Sequence, residues 1–158
     1  MTSSGVKLNP QAVERFNEMK LGHKTQYITF KIESGEIVIS EICGKADAGG
    51  DKCAGNATQW ETFCDKLTRD GQNECRYCVF DYYMEQPQQA AGNRVIEALI
   101  FVVWIPDTAN VRDKMLYASS KDEIKKKLLG LQAEIQATDS DELSKETVES
   151  KIRSSKSL

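Results

Sequence analysis

The sequence predicts an α/β (α+β) fold in which a central mixed sheet of about five strands lies between helices. The length of 158 residues matches one domain. Segments with helical and strand-like patterns follow one another in the order α-β-β-α-β-β-α-β-α, which favours helices packed on a sheet. The run Leu99–Trp104 is apolar at every position. A strand of this kind is buried on both faces, so it belongs in the centre of the sheet.

The composition limits the classes of function. The chain has 40% hydrophobic residues, 28% charged residues and a net charge of −3. This balance excludes wholesale disorder and argues against nucleic acid as a partner held by overall charge. The longest apolar run, Ala98–Ile105, is too short for a bilayer span of about 20 residues. The amino terminus contains no apolar stretch, so we expect a cytoplasmic monomer without a secretory signal.

The first elements are a short arm and a helix. Residues 1–8 are rich in serine, which predicts a flexible arm. Asn9 and Pro10 have the residue types preferred at the N-cap and first position of a helix. Gly22 is expected to end this helix. Three apolar residues at helical spacing should face the core: Val13, Phe16 and Met19.

A hairpin and a second helix are predicted next. Tyr27–Ile32 and Glu36–Ile42 have strand patterns, and Ser34–Gly35 between them is a turn signal. The polar, glycine-rich stretch Gly44–Thr58 predicts a solvated loop insertion. Apolar residues at helical spacing in Gln59–Thr68 predict a short amphipathic helix.

A longer hairpin follows. Its strands are expected at Cys75–Met84 and Arg94–Ile105. The polar segment Gln86–Asn93 between them is predicted to form a long tip without charged residues.

The carboxyl-terminal third is predicted to contain two helices and one strand. Val111–Leu129 is expected to be helical, and the capping-box pattern at Ser120–Glu123 predicts a kink or restart within it. Gln132–Ala137 alternates as a strand does, and a strand that follows a long helix can join the sheet in parallel. Asp139 begins a last helix through about Ile152, and the tail 154–158 should fray.

The chain contains five cysteines and one histidine. An odd number of cysteines without a secretory signal favours reduced thiols. Cys75 and Cys78 spell a CxxC pattern, but residues three apart on a strand point to opposite faces and cannot easily share a zinc ion. We therefore predict core or half-buried cysteines and no metal. A cysteine-based zinc or thiol protein remains the alternative from another class.

Catalytic motifs are missing from the sequence. It contains no phosphate-binding loop, dinucleotide fingerprint, zinc-protease motif or serine nucleophile elbow. His23, the only histidine, follows a predicted helix end and is not placed for catalysis. We expect neither an enzyme nor a cofactor.

The predicted long helix carries most of the local positive charge. Its basic residues are Arg112, Lys114, Lys121, Lys125, Lys126 and Lys127. A solvated helix face with internal ion pairs explains such a pattern equally well. Met115 lies among the cations, and methionine with arginine is typical of an interface. Both interpretations remain open from these residues alone.

The same helix carries a family resemblance. The stretch Trp104–Asp122 closely resembles the signature of the ADF/cofilin family of actin-depolymerising proteins. The match extends to Ser4–Val6, Val13–Lys20, Glu74–Tyr77 and Gln136–Asp139. It covers nearly the whole chain apart from the predicted loop insertion and the tail. The chain is thus identified as one ADF-homology domain over residues 1–158.

The resemblance implies a fold, a function and partners. The fold is a five-stranded mixed sheet between helices. Such proteins bind actin monomers and filaments, prefer ADP-loaded actin, and sever or depolymerise filaments of the cytoskeleton. They also bind phosphoinositide head groups through basic helices.

The resemblance also implies site residues. The surface used for both monomers and filaments corresponds to Ser4, Gly5, Val6, Arg112, Lys114, Met115, Leu116, Lys121, Asp122, Lys125 and Lys126. The surface used for filaments alone corresponds to Arg94, Lys151 and Arg153. Ser4, or its neighbour Ser3, stands where the family is phosphorylated to switch binding off. Because the predicted hairpin tip has no charge, a mainly monomer-binding member with weak severing is an alternative.

Overall fold

A mixed sheet of six strands runs through the computed structural model, which describes residues 5–22, 24–45, 52–70, 73–88 and 92–156. The strands are β1 (Lys7–Leu8), β2 (Thr25–Glu33), β3 (Glu36–Gly44), β4 (Arg76–Gln88), β5 (Gly92–Trp104) and β6 (Ala133–Ala137). The α-helices are α1 (Pro10–Gly22), α2 (Lys52–Asp65), α3 (Val111–Lys125) and α4 (Lys145–Lys156). A π-helical turn at Lys66–Asp70 and a 3-10 turn at Ser140–Leu143 complete the elements.

The sheet order is β1-β3-β2-β4-β5-β6. β2 pairs antiparallel with β3 and β4, and β4 pairs antiparallel with β5. β1 joins β3 in parallel, and β6 joins β5 in parallel. The predicted mixed sheet is confirmed, including the parallel addition of the strand that follows the long helix. The structure has one strand more than predicted.

The alternation of side chains along β5 divides the core into two layers. Ile100 and Val102 face the layer that contains Trp60 of α2 and Val148 of α4. Phe101 faces the other layer, with Phe16 of α1. The prediction of a central strand covered by helices on both faces is confirmed.

An aromatic cluster fills the layer beneath α2 and α4. The Phe80 ring lies 4.9 Å from Trp60, 5.5 Å from Phe63 and 5.6 Å from Tyr27, measured between ring centroids. Trp60 Nε1 also donates a hydrogen bond to the Leu143 carbonyl at 2.9 Å. Stacked and edge-on aromatic contacts of this kind add to the stability gained from burial.

The predicted flexible arm 1–8 is wrong for its last residues, because Lys7–Leu8 form β1. Val6 and Leu8 are buried on either side of the exposed Lys7. The Lys7 amide donates to the Gly35 carbonyl at 3.1 Å. The serine content of the segment concealed this short alternation of apolar residues. Residues 1–4 lie outside the described part of the chain.

The predicted loop insertion is wrong for residues 52–58, which form the first half of α2. Gly55 and Asn56 are buried, and Asn56 Oδ1 accepts a hydrogen bond from the Tyr83 amide at 2.9 Å. The buried positions of this half hold small and polar residues, so it lacks the large apolar residues that predict a helix. Residues 46–51 lie outside the described part. The predicted helix Gln59–Thr68 is confirmed to Asp65, and a π-helical turn follows it.

The predicted hairpin tip Gln86–Asn93 is too long. The pairing of β4 with β5 continues to the pair formed by Gln88 and Gly92. Backbone hydrogen bonds can pair two strands even where their side chains are polar. The change to a polar sequence therefore did not mark the end of the strands. Residues 89–91 lie outside the described part.

The predicted restart at Ser120–Glu123 is wrong, because α3 runs without a break from Val111 to Lys125. Ser120 is completely buried within the helix. A serine that faces the core of a continuous helix does not act as an N-cap. The helix ends four residues before the predicted end at Leu129. The predicted start of the last helix at Asp139 is wrong, because a 3-10 turn forms first and α4 begins at Lys145. The predicted fraying is wrong for residues 154–156, because α4 extends to Lys156, and residues 157–158 lie outside the described part.

The two residues of the CxxC pattern lie in different layers of the core. Cys75 belongs to the cluster beneath α1 and α3, and Cys78 to the cluster beneath α2 and α4. The other three cysteines, Cys43, Cys53 and Cys64, are half-buried. The predicted burial of the cysteines is confirmed, and the sheet separates the pair that could have suggested a zinc site. His23 lies outside the described part.

Candidate functional site

The amino end of α3 is fixed by reciprocal hydrogen bonds between a residue before the helix and one in its first turn. Asn110 Oδ1 accepts from the Asp113 amide at 2.8 Å, and Asn110 Nδ2 donates to Asp113 Oδ2 at 3.0 Å. This arrangement satisfies one of the amides that a helix start leaves free. The Asp113 carboxylate is therefore held at the cap.

Two large apolar side chains project from this first part of α3. Val111 is 70% exposed and Met115 is 67% exposed. They are four residues apart, so they are neighbours on one face of the helix. Leu116 is half-buried against the core beneath α1 and α3. Sequence reasoning singled out Met115 and Leu116 but missed Val111, although its spacing from Met115 was the available signal.

Two cations flank this apolar pair. Arg112 is exposed and Lys114 is half-buried. Within the described part of the chain neither has a carboxylate within ion-pair distance. The acidic neighbour Asp113 is engaged with Asn110 at the cap. Their charges are therefore available to an external partner. We call Val111, Arg112, Lys114 and Met115 the α3 wedge.

Tyr117 attaches α3 to the sheet. Its hydroxyl accepts a hydrogen bond from the Ile32 amide at 2.8 Å, and its carbonyl accepts one from the Tyr77 hydroxyl at 2.5 Å. The two tyrosine rings are 5.1 Å apart between centroids. Burial raises the pKa of both hydroxyl groups, so both remain protonated at neutral pH. These contacts fix which face of α3 is turned to solvent.

The amino-terminal arm is attached to the same layer as the α3 wedge, because β1 contacts α3. Gly5 is exposed and has φ = +79°, a conformation that favours glycine. Val6 is only 6% exposed and packs in the core beneath α1 and α3. Its side chain anchors the arm and has little surface for a partner. Ser4 and Ser3 lie outside the described part.

Cys75 brings the start of β4 close to the same helix end. Burial raises the pKa of the Cys75 thiol to about 11, and the negative charge of Asp113 contributes to this increase. A thiol of this kind is protonated at neutral pH and is a poor nucleophile. Among the described residues, no group of three histidine, cysteine or acidic side chains could hold a metal ion.

The carboxyl half of α3 differs from the wedge because its predicted cations are paired. Lys121 and Lys125 both contact Glu134 of β6, at 3.1 and 2.5 Å. Lys126, the residue that caps the end of α3, contacts Glu123 at 2.9 Å. Asp122 is exposed. The structure therefore places these four predicted residues on the carboxyl half of α3 and its cap, but with less available charge than the wedge.

The three residues predicted for filaments alone lie on the opposite side of the sheet. Arg94 of β5 shares a face with Ile96, which is buried in the layer of α2 and α4. Lys151 of α4 is exposed. Arg153 contacts Glu149 at 3.8 Å in the same helix. The two predicted surfaces are thus separated by the sheet.

A buried polar network lies beneath the end of α1, away from these surfaces. Lys45 Nζ contacts Asp81 Oδ2 at 2.7 Å and the Tyr83 hydroxyl at 2.6 Å. The Tyr83 hydroxyl also lies 2.6 Å from Glu97 Oε2. Asp81 Oδ1 has no hydrogen-bond partner among the residues that the structure describes. Burial raises the pKa of Asp81 to about 6, although the Lys45 ammonium opposes this change.

The raised pKa of Asp81 predicts a contribution to stability that depends on pH. Because the folded state binds this proton more tightly than the unfolded state, the contribution increases as pH falls through about 6 towards the ordinary value near 4. We expect Asp81→Asn to reduce the stability gained between pH 7 and pH 4.5 by about 2 kcal/mol relative to wild type. Urea unfolding at both pH values measures the difference. Equal pH dependence in the two proteins would contradict the assignment.

Among the described helices, none has the length and apolar character needed to cross a bilayer.

Comparisons with known proteins agree on one family. The family model for cofilin/tropomyosin-type actin-binding proteins matches residues 5–153. The chain is 38% identical to actophorin from Acanthamoeba castellanii, over 95% of this chain and 96% of that protein. It is 40% identical to cofilin from Yarrowia lipolytica, over 94% of this chain and 86% of that protein. The crystal structure of Streptomyces griseoflavus cofilin has a TM-score of 0.73 and 35% identity, and the match covers 94% of this chain and 97% of that one.

Proposed function

The chain belongs to the ADF/cofilin family of actin-binding proteins, and we propose that it docks on actin through the α3 wedge. It binds actin and promotes filament depolymerisation, so it is associated with the cytoskeleton. The observation that carries the proposed docking surface is the exposure of Val111 and Met115 between two cations that have no ion-pair partner among the described residues. We further propose that the protein acts in the cytoplasm.

The α3 wedge has the composition of a binding hot spot. A projecting apolar group gains most when a pocket on the partner excludes water around it. Met115 and Val111 supply that group, and Arg112 supplies a cation next to it. Positive charge at the rim attracts an acidic partner surface and orients the encounter. The wedge is therefore suited to an apolar cleft with an acidic border on the actin monomer.

Filament binding adds the second surface in this proposal. Arg94, Lys151 and Arg153 lie across the sheet from the wedge and would contact a neighbouring actin subunit. A ligand that binds one filament twist more tightly than another shifts the filament towards that twist. Mechanical mismatch between decorated and bare segments would then sever the filament.

Two finer properties follow from the family resemblance. We propose a preference for ADP-loaded actin, for which the resemblance is the support. We also propose phosphoinositide binding by the basic residues of α3, since clustered lysines favour anionic head groups. Because Lys121 and Lys125 share one carboxylate, such binding would have to displace Glu134.

We propose that phosphorylation of Ser4, or of Ser3, switches docking off. A phosphate adds about −1.5 to −2 charges, which would oppose docking on an acidic surface. Gly5 and Val6 connect this position to β1, which contacts α3. We expect Ser4→Asp to weaken monomer binding, with Ser4→Ala as the control for loss of the hydroxyl. Equal affinities of the Asp variant and wild type would contradict the proposal.

The direct test is to add the wild-type protein to individual labelled filaments and to measure monomer binding in parallel. We expect monomer binding, increased severing and a changed helical twist in saturated filaments. Monomer binding without severing would instead support the alternative of a mainly monomer-binding protein. Saturated filaments that kept their native twist would contradict the severing mechanism.

A further inference from the structure

One carboxylate, on a different element, holds two of the cations that the family resemblance assigns to the actin-binding surface, Lys121 and Lys125. Glu134 of β6 lies 3.1 Å from Lys121 Nζ through Oε2 and 2.5 Å from Lys125 Nζ through Oε1. The lysine side chains are 24% and 38% exposed. Both ammonium groups therefore stand at the border between α3 and solvent, where a partner could reach them.

The position of this carboxylate is fixed by the sheet. β6 pairs with β5 in a register that places Glu134 opposite Phe101. Lys121 and Lys125 are one helical turn apart, next to the buried Ser120 and Ile124. The ion pairs with both lysines lower the pKa of Glu134, although partial burial opposes them. Glu134 is consequently ionised at neutral pH and cancels one of the two positive charges.

The helix does not depend on these ion pairs for its attachment. Tyr117 joins α3 to β2 through the Ile32 amide, and Ile124 is completely buried. Partly exposed ion pairs contribute little to stability, typically less than about 1 kcal/mol. Contacts of this strength can be exchanged for contacts with a partner at small cost.

We propose that Glu134 is an internal competitor for the acidic groups of actin. It occupies Lys121 and Lys125 in the free protein, and docking transfers these cations to carboxylates of the partner. The inference rests on the proposed docking surface. It adds a residue that limits affinity, whereas the wedge residues provide affinity.

The test compares two variants that each remove one negative charge. In Glu134→Gln the two lysines lose their internal partner, whereas Glu61→Gln removes an exposed carboxylate from α2 on the other layer. We expect Glu134→Gln to bind actin monomers about two- to fivefold more tightly at about 50 mM salt, with a steeper loss of affinity as salt increases. Glu61→Gln should stay within about twofold of wild type.

A second comparison assigns the effect to the lysines. We expect the gain from Glu134→Gln to disappear when Lys121→Gln and Lys125→Gln are added. Unfolding in urea confirms that each variant is folded.

The outcomes separate this inference from the proposed docking surface. If Glu134→Gln binds less tightly than wild type or no differently from Glu61→Gln, the competitor role is wrong. If the gain persists without the two lysines, it is also wrong. If substitution of Arg112 and Lys114 leaves the affinity for actin monomers unchanged, the docking surface itself is contradicted.

Discussion

The double substitution Arg112→Ala/Lys114→Ala is expected to weaken actin-monomer binding by about 30- to 100-fold. Neither side chain has an ion-pair partner among the described residues, so truncation removes charge without breaking an internal ion pair in that part of the chain. Both lie beside the exposed Met115, where an apolar contact with the partner would exclude water and strengthen the neighbouring charge pairs. Titration of fluorescently labelled actin monomers measures the affinity.

The matched control removes two cations from the opposite layer. Arg69 follows α2 and Lys145 begins α4, and both are exposed. Arg69→Ala/Lys145→Ala changes the net charge by the same amount, so it reports any general electrostatic effect. We expect its monomer affinity to stay within about threefold of wild type. Similar losses in the two double variants, with both proteins folded, would show that binding depends on overall charge rather than on the α3 wedge.

The sequence was sufficient to predict the sheet where burial sets the pattern. Leu99–Trp104 is apolar throughout because β5 is covered on both faces, and this requirement is visible without the structure. Elements that do not show a pattern of large apolar residues were harder to predict. The start of α2 relies on the burial of Gly55 and on a hydrogen bond that Asn56 accepts from the Tyr83 amide, and both residue types otherwise indicate a loop. The strand β1 is too short to show a pattern.

The residue types of the candidate site could be predicted from the sequence, but not which of its basic side chains are held in internal ion pairs. The basic residues of α3 and Met115 were evident from the sequence. The pairing of Lys121 and Lys125 with Glu134 depends on how β6 joins β5, which no local pattern encodes. The sequence assigns Lys121 and Lys125 to the same surface as Arg112 and Lys114, whereas only the second pair has no ion-pair partner among the described residues. Val6 is a second example: the sequence assigned it to the actin-binding surface, but its side chain is buried and anchors the amino-terminal arm.

The layered fold explains how one domain can present two surfaces. α3 and α1 cover one face of the sheet, and α2 and α4 cover the other. The wedge and the cations Arg94 and Lys151 are therefore directed away from each other. In the proposed arrangement, α3 would contact one actin subunit and the other layer would contact a neighbouring subunit. Changes at one surface should leave the other intact, provided that α3 keeps its attachment to the sheet.

Because Tyr117 attaches α3 to the sheet, it affects both the stability of the protein and the position of the α3 wedge. We expect Tyr117→Ala to lower the free energy of unfolding by about 3–5 kcal/mol, because it removes a buried ring that packs against Tyr77. It also leaves the Ile32 amide without the hydroxyl that accepts its hydrogen bond. Urea unfolding measures the loss.

Tyr117→Phe separates the ring from the hydroxyl. This variant keeps the packing against Tyr77 and loses the hydrogen bond from the Ile32 amide, so we expect a cost of about 1–2 kcal/mol. The Tyr77 hydroxyl bonds to the backbone carbonyl of residue 117, which both variants retain. Because the Phe variant still seats α3 on the sheet, its monomer affinity should remain within about twofold of wild type. Equal destabilisation by Ala and Phe would show that the hydrogen bond, rather than the ring, holds the wedge in place.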